Sequence, residues 1–264
     1  MEIIDFIYYI LLGIIQGVTE FLPISSSGHL QVISHLGFSQ STSLLTTIIL
    51  HFATALSIVI IFRQKIKQII FFRSNNSFNY IFKMIIALIP AVIIGLFFEE
   101  EVEKIFSENN KYLLSTTFLI TGMVLYFSDK INNNNNNLTY KTVFLIGLAQ
   151  AFAILPGISR SGITICIALF LGLKKSEATS FSFIIFLPLI FGKIIKDFLF
   201  DYSAVRDEML EVNFLPIIIA FFITFFVGLV CCRWMIQVVE KNKLVYFGYY
   251  CIGLALFLIL TSIC

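Results

Sequence analysis

Two apolar runs, Ile3 to Leu36 and Thr142 to Leu173, are each broken near the middle by a proline and a knot of small polar residues. A helix needs about 20 apolar residues to cross a bilayer, with about 17 as a lower limit. Each run is too long for one crossing and too short for two. The first break reads EFLPISSSGHL (Glu20 to Leu30) and the second LPGISRSGITI (Leu155 to Ile165). Non-helical backbone at membrane depth survives only where it is buried in protein or lines a cavity, because lipid offers its N–H and C=O groups no partners. Each run is therefore expected to form a re-entrant hairpin of two half-helices, turning at Pro23 and Pro156.

The rest of the chain agrees with a membrane setting. Hydrophobic residues make up 58 % of the 264, charged residues 13 %, and the mean hydropathy is +0.94; soluble domains carry about a quarter charged residues. Leu44 to Phe62, Ile81 to Phe98, Tyr112 to Ser128, Phe181 to Lys196, Phe214 to Cys232 and Leu244 to Ile263 read as full spans. The expected fold is an all-α polytopic membrane protein, a single domain over 1–264 with six transmembrane helices and two re-entrant hairpins. A net charge of +2 without a basic amphipathic segment gives nucleic acid no footprint. Cys166, Cys231, Cys232, Cys251 and Cys264 form no metal-binding spacing and read as small apolar residues of membrane helices. The N-terminus has no basic n-region and runs into Glu20, so a cleaved signal peptide is not expected.

Lys and Arg concentrate in cytoplasmic loops. If the first hairpin enters from outside, the inside loops hold Arg63, Lys65, Lys67, Arg73, Lys83, Lys130, Lys141, Lys174, Lys175, Arg233, Lys241 and Lys243. The outside loops hold only Lys104, Lys111, Lys193, Lys196 and Arg206, beside Glu99, Glu100, Glu101, Glu103 and Glu108. Both termini are then outside. A hairpin followed by three spans occurs twice, over about 1–128 and 142–264. An odd number of spans per copy turns the second upside down, the inverted repeat whose broken helices set a site near the midplane. The connection, 129–141, contains Asn132 to Asn137 and reads as a flexible cytoplasmic loop.

Glu20, His29 and Arg160 lie deepest in apolar sequence, with His35 and His51 as lesser cases. An ionisable group at the bilayer centre costs roughly 2.5 to 3.5 kcal/mol and marks a site by default. Ser25, Ser26 and Ser27 follow Pro23 where a half-helix would start, and Ser159, Arg160 and Ser161 follow Pro156 in the same way. Helix N-termini with serine caps favour anions, and the planar arginine fork suits phosphate. Gln16 stands one turn before Glu20 on the same face. Taken singly, the serines read as helix caps, His35 and His51 as hydrogen-bonded core, and Arg160 as a buried ion paired with Glu20. Their joint occurrence reads as a phosphate site, with a nucleophile, a proton carrier and a clamp.

QGVTEFLPISSSGHL (Gln16 to Leu30) and LPGISRSGITI (Leu155 to Ile165) resemble the two signature motifs of the undecaprenyl-diphosphate phosphatase family, the bacitracin-resistance type of membrane phosphatase. Length, motif spacing and hydropathy extend the resemblance over nearly the whole chain. It implies hydrolysis of undecaprenyl diphosphate to undecaprenyl phosphate and inorganic phosphate, recycling the lipid carrier of bacterial cell-wall synthesis, at a site open to the outer face of the cytoplasmic membrane. By the same resemblance Glu20, Ser25 to Ser27 and His29 match the catalytic motif, and Ser159, Arg160 and Ser161 the phosphate-binding motif. The expected catalytic residues are Glu20, Ser26 and His29, and the expected substrate-binding residues are Gln16, Ser25, Ser27, Ser159, Arg160 and Ser161. The corresponding assignment makes Ser26 the nucleophile, His29 the group that takes its proton, Glu20 an orienter or metal ligand, and Arg160 the clamp. Direct attack by His29 is the rival. Many members carry glutamate where this chain has Gln16, so a two-carboxylate metal site is not matched; the implied Mg2+ or Ca2+ would rest on Glu20 and the substrate's oxygens. A lipid-phosphate transporter or flippase is the alternative function, since inverted repeats with broken helices also build transporters; an ion or sugar carrier would need more polar groups on the full spans.

Overall fold

A computed structural model describes residues 3–35, 43–71, 77–107, 110–128, 136–200, 205–206, 208 and 214–263. Its helices are α1 (Ile3–Thr19), α2 (Ser26–His35), α3 (Leu44–Ile61), α4 (Arg63–Ile70), α5 (Ser77–Phe97), α6 (Glu99–Ser107), α7 (Lys111–Ser128), α8 (Tyr140–Phe152), α9 (Arg160–Phe170), α10 (Lys175–Phe200), α11 (Phe214–Glu240) and α12 (Leu244–Ile263). The two interrupted runs form the helix pairs α1/α2 and α8/α9, as their prolines predict. The His35 side chain and Asn132 to Asn135 lie outside the described residues.

Five of the six expected spans, α3, α5, α10, α11 and α12, are long and apolar enough to cross a membrane. The sixth, α7, has 18 residues but carries Lys111, Ser115, Thr116, Thr117 and Thr121. Ser115, Thr117 and Thr121 are buried, so much of its polarity faces protein rather than lipid. Thr121 donates to the Gly157 carbonyl and accepts from the Ser159 N–H, which ties α7 to the second break.

Lipid is as apolar as leucine, so membrane helices associate through close backbone approach at small residues. α1 packs on α11 where Gly13 and Gly17 meet Ala220 and Thr224: a Cβ on Gly13 would stand 2.8 Å from the Ala220 carbonyl oxygen. Thr224 Oγ1 also donates to the Gly13 carbonyl at 3.0 Å. α8 packs on α5 at Gly147 against the Ala87 backbone, and α7 on α12 at Gly122 and Gly248. Between these pairs Phe21, Phe118, Phe181 and Phe183 are fully buried.

Helix ends and connections are tied together by basic side chains and backbone groups. Lys65 bonds Ser180, Lys83 the Leu138 carbonyl, Lys175 the Glu240 carbonyl, and Asn136 the Gly172 carbonyl. Lys65, Lys83 and Lys175 are among the basic residues that the charge pattern groups on a single face.

Candidate functional site

Both breaks are built alike. After Pro23, Ser25 accepts from the Gly28 N–H at 3.3 Å and lies 3.4 Å from Ser27 Oγ. After Pro156, Ser159 accepts from the Gly162 N–H at 3.2 Å and lies 3.4 Å from Ser161 Oγ. Ser26 and Arg160 are therefore equivalent: each is the first residue of its half-helix. The first break puts Ser25 in the left-handed region at φ 69°, which costs a non-glycine residue about 1–3 kcal/mol. The second places Gly157 there at φ 88°, where a side chain would strike Thr117. Ser25 also joins the breaks, since its Oγ accepts from the Gly157 N–H at 3.1 Å.

Glu20 is the hub. Its Oε1 accepts from Arg160 NH2 at 2.9 Å, and its Oε2 from Ser26 Oγ at 2.8 Å and from Gln16 Nε2 at 3.0 Å. The face shared by Gln16 and Glu20 agrees with the sequence reading, and the Arg160–Glu20 pair is the arrangement that Arg160 taken singly suggested. Arg160 lies over the Phe186 ring, and its Nε and NH1 are buried without partners among the described residues.

The expected Ser26–His29 pair does not form. The His29 ring nitrogens are committed, Nδ1 to the Ser25 carbonyl and Nε2 to the Tyr250 hydroxyl, both at 2.7 Å, and the ring stacks on Tyr250. His29 follows Ser26 by three residues on α2, and its ring points toward α7 and α12 instead of the cavity. Glu20 holds the Ser26 hydroxyl in its stead.

His51, read from the sequence as core, lies at the site. Its Nδ1 is 3.0 Å from Gln16 Nε2, so the one amide group of Gln16 bridges Glu20 and His51. With both amide hydrogens spent on these two acceptors, Nδ1 takes the hydrogen bond. The only sequence signal was an ionisable residue inside a span. Ser25, Ser159 and Ser161, expected to bind substrate, are buried with their hydroxyls in caps and in a bond from Ser161 to the Leu22 carbonyl. Ser26 is half-buried and Ser27 exposed.

A cavity of about 520 Å³ joins these groups. Gln16, Glu20, Ser26, Ser27, His51 and Arg160 line its polar part, and Ser25, Ser159 and Ser161 line it as well; Ala91, Val92, Gly95 and Leu96 of α5 and Pro188, Leu189 and Gly192 of α10 line an apolar part, with Lys193 and Lys196 beyond. Among the described residues no three His, Cys, Asp or Glu side chains gather to hold a metal. Both Glu20 oxygens are already taken, one by a guanidinium. Among the described residues Glu20 is the one carboxylate lining the cavity, so these side chains do not by themselves make up a metal site.

Fold and site define a polytopic membrane protein in which two broken helices bring a carboxylate-held serine and a buried arginine to one cavity. The family model described as bacitracin resistance protein BacA matches residues 9–257. An undecaprenyl-diphosphatase of Christiangramia forsetii is 43 % identical over 264 residues, covering 97 % of each chain. One of Bacteroides thetaiotaomicron is 38 % identical (96 % of this chain, 97 % of that one), as is one of Methanococcus vannielii (95 % and 98 %). The chain belongs to the bacitracin resistance protein BacA family.

Proposed function

We propose that this chain hydrolyses the terminal phosphoanhydride bond of undecaprenyl diphosphate, releasing undecaprenyl phosphate and inorganic phosphate. The observation that carries the reading is the Ser26–Glu20–Arg160 chain: a hydroxyl bonded to a carboxylate, itself held by an arginine with two further donors to spare. Phosphoryl transfer is mostly positioning and charge stabilisation. Ser26 Oγ attacks the terminal phosphorus as its proton passes to Glu20, and the bridging P–O bond breaks to leave the lipid monophosphate. Arg160 Nε and NH1 hold phosphoryl oxygens, and water then releases phosphate from the serine. His29 is a positioning residue that pins the Ser25 turn through its carbonyl.

The apolar cavity wall between α5 and α10 suits a prenyl tail. A Cβ on Gly95 or Gly192 would meet nothing within 4 Å, which leaves room for a chain to pass between the helices. A flippase would need the head group held but has no use for a hydroxyl set against a carboxylate.

The packing of α1 on α11, α8 on α5 and α7 on α12 is the pattern that an inverted repeat of about 1–128 and 142–264 generates. With the basic loops in the cytoplasm, the cavity, which reaches Leu96, Val102 and Lys196, opens to the outer face of the bacterial cytoplasmic membrane. Detergent-purified protein tests the reading: it should release inorganic phosphate from undecaprenyl diphosphate, and Ser26→Ala should lose at least about 100-fold in turnover. Tight lipid binding without phosphate release would favour the transporter.

A further inference from the structure

Four buried polar atoms along the second hairpin have no hydrogen-bond partner among the described residues: Arg160 Nε and NH1, and both amide atoms of Gln150. Gln150 sits in the last turn of α8, is 3 % exposed, and lines the same cavity as Arg160, Ser26 and Glu20. A buried amide left unbonded is unfavourable, and such groups in a folded protein call for a reason. The Arg160 donors already have one in the phosphoryl oxygens. Gln16, the glutamine of the other hairpin arm, has its NH2 spent on Glu20 and His51. Gln150 is placed alike, near the end of the entering arm, but its amide is uncommitted.

What an amide adds beside a guanidinium is an acceptor. Arginine and lysine only donate, so they hold phosphate but not the hydrogens of a water molecule. A glutamine does both at once. Resting on the hydrolase reading above, we infer that Gln150 is a substrate-contacting residue: Nε2 donates to a phosphoryl oxygen while Oε1 accepts from the water that completes hydrolysis. Gln150 forms no covalent bond and moves no proton in this role; it orients the water against the phosphorus.

Gln150→Met keeps the length and removes both polar atoms, so structural and functional roles predict opposite signs. A ligand-contacting Gln150 predicts a ligand-free melting temperature in detergent unchanged or up to about 5 °C higher, since an orphaned amide is removed. It also predicts a kcat/KM for undecaprenyl diphosphate lower by roughly 10- to 100-fold. Gln150→Glu, of equal size but unable to donate, should lose at least as much. A lower melting temperature for Gln150→Met, failure to recover it folded, or activity within about twofold of wild type in either variant overturns the inference. Wild-type turnover in the same preparation tests the hydrolase reading separately. If that reading fails, inorganic phosphate still decides: because Arg160 remains in Gln150→Met, phosphate should raise the melting temperature of both proteins but that of wild type by more, and equal shifts overturn the contact.

Discussion

Removing the Glu20 carboxylate is the sharpest test of the site, because the structure says what is left behind. In Glu20→Ala, Arg160 loses the one acceptor it has among the described residues, which leaves every nitrogen of a guanidinium whose side chain is 12 % exposed without a partner there. Breaking a buried ion pair from one side costs about 3–5 kcal/mol. At roughly 2–4 °C per kcal/mol for a chain of this size, the melting temperature should fall by about 6–20 °C. Gln16 and Ser26 lose their acceptor too, which places the effect in the upper half of that range. Adding Arg160→Met removes the stranded charge, so the double variant should recover most of the loss and yet remain inactive. Thermal unfolding in detergent of wild type, both singles and the double closes the cycle, with phosphate release measured on each. A coupling below about 0.5 kcal/mol, or a Glu20→Ala variant within about 2 °C of wild type, would refute the hub. Turnover surviving in the stable double would show that the pair is structural and the chemistry lies elsewhere.

His51→Phe should lower turnover about 10-fold by stranding the Gln16 amide, whereas His51→Gln, which keeps an acceptor, should retain most of it; equal activity in the two would remove His51 from the site. Gly95→Trp and Gly192→Trp should raise KM for undecaprenyl diphosphate at least about 10-fold with little change for a short-chain prenyl diphosphate, and equal losses on both substrates would close the proposed portal. Glu101→Cys should react with a membrane-impermeant thiol reagent from outside intact cells, and Asn137→Cys should not; labelling of both would sink the inverted topology.

The hairpins were legible because a proline inside an apolar run of about 30 residues leaves few other solutions in lipid. The serine caps and the Glu20–Arg160 partnership were legible for a related reason: a charge in an apolar run needs an opposite one, and few were on offer. The span count was less secure at α7, where hydroxyls lower the apolar signal but are buried against neighbouring elements.

Which groups meet is a different kind of information. In sequence His29 is three residues from Ser26 and His51 is 25 away, yet His51 joins the Gln16–Glu20 network while His29 stacks on Tyr250 of α12. Residues three apart are neighbours on a helix face, so the spacing along α2 allowed a Ser26–His29 pair; the bonds of His29 to the Ser25 carbonyl and the Tyr250 hydroxyl turn its ring away. The hydrogen bonds between hairpins join residues 132 to 140 apart, and glycine contacts hold α1 against α11 and α8 against α5. The sequence alone determined that two broken helices must bury polar turns in a membrane, because unpaired backbone in lipid is so costly. Only the tertiary structure decided that Glu20 holds Ser26, that His29 faces away, and that Gln150 is uncommitted, because these depend on helix rotation and side-chain packing across distant segments.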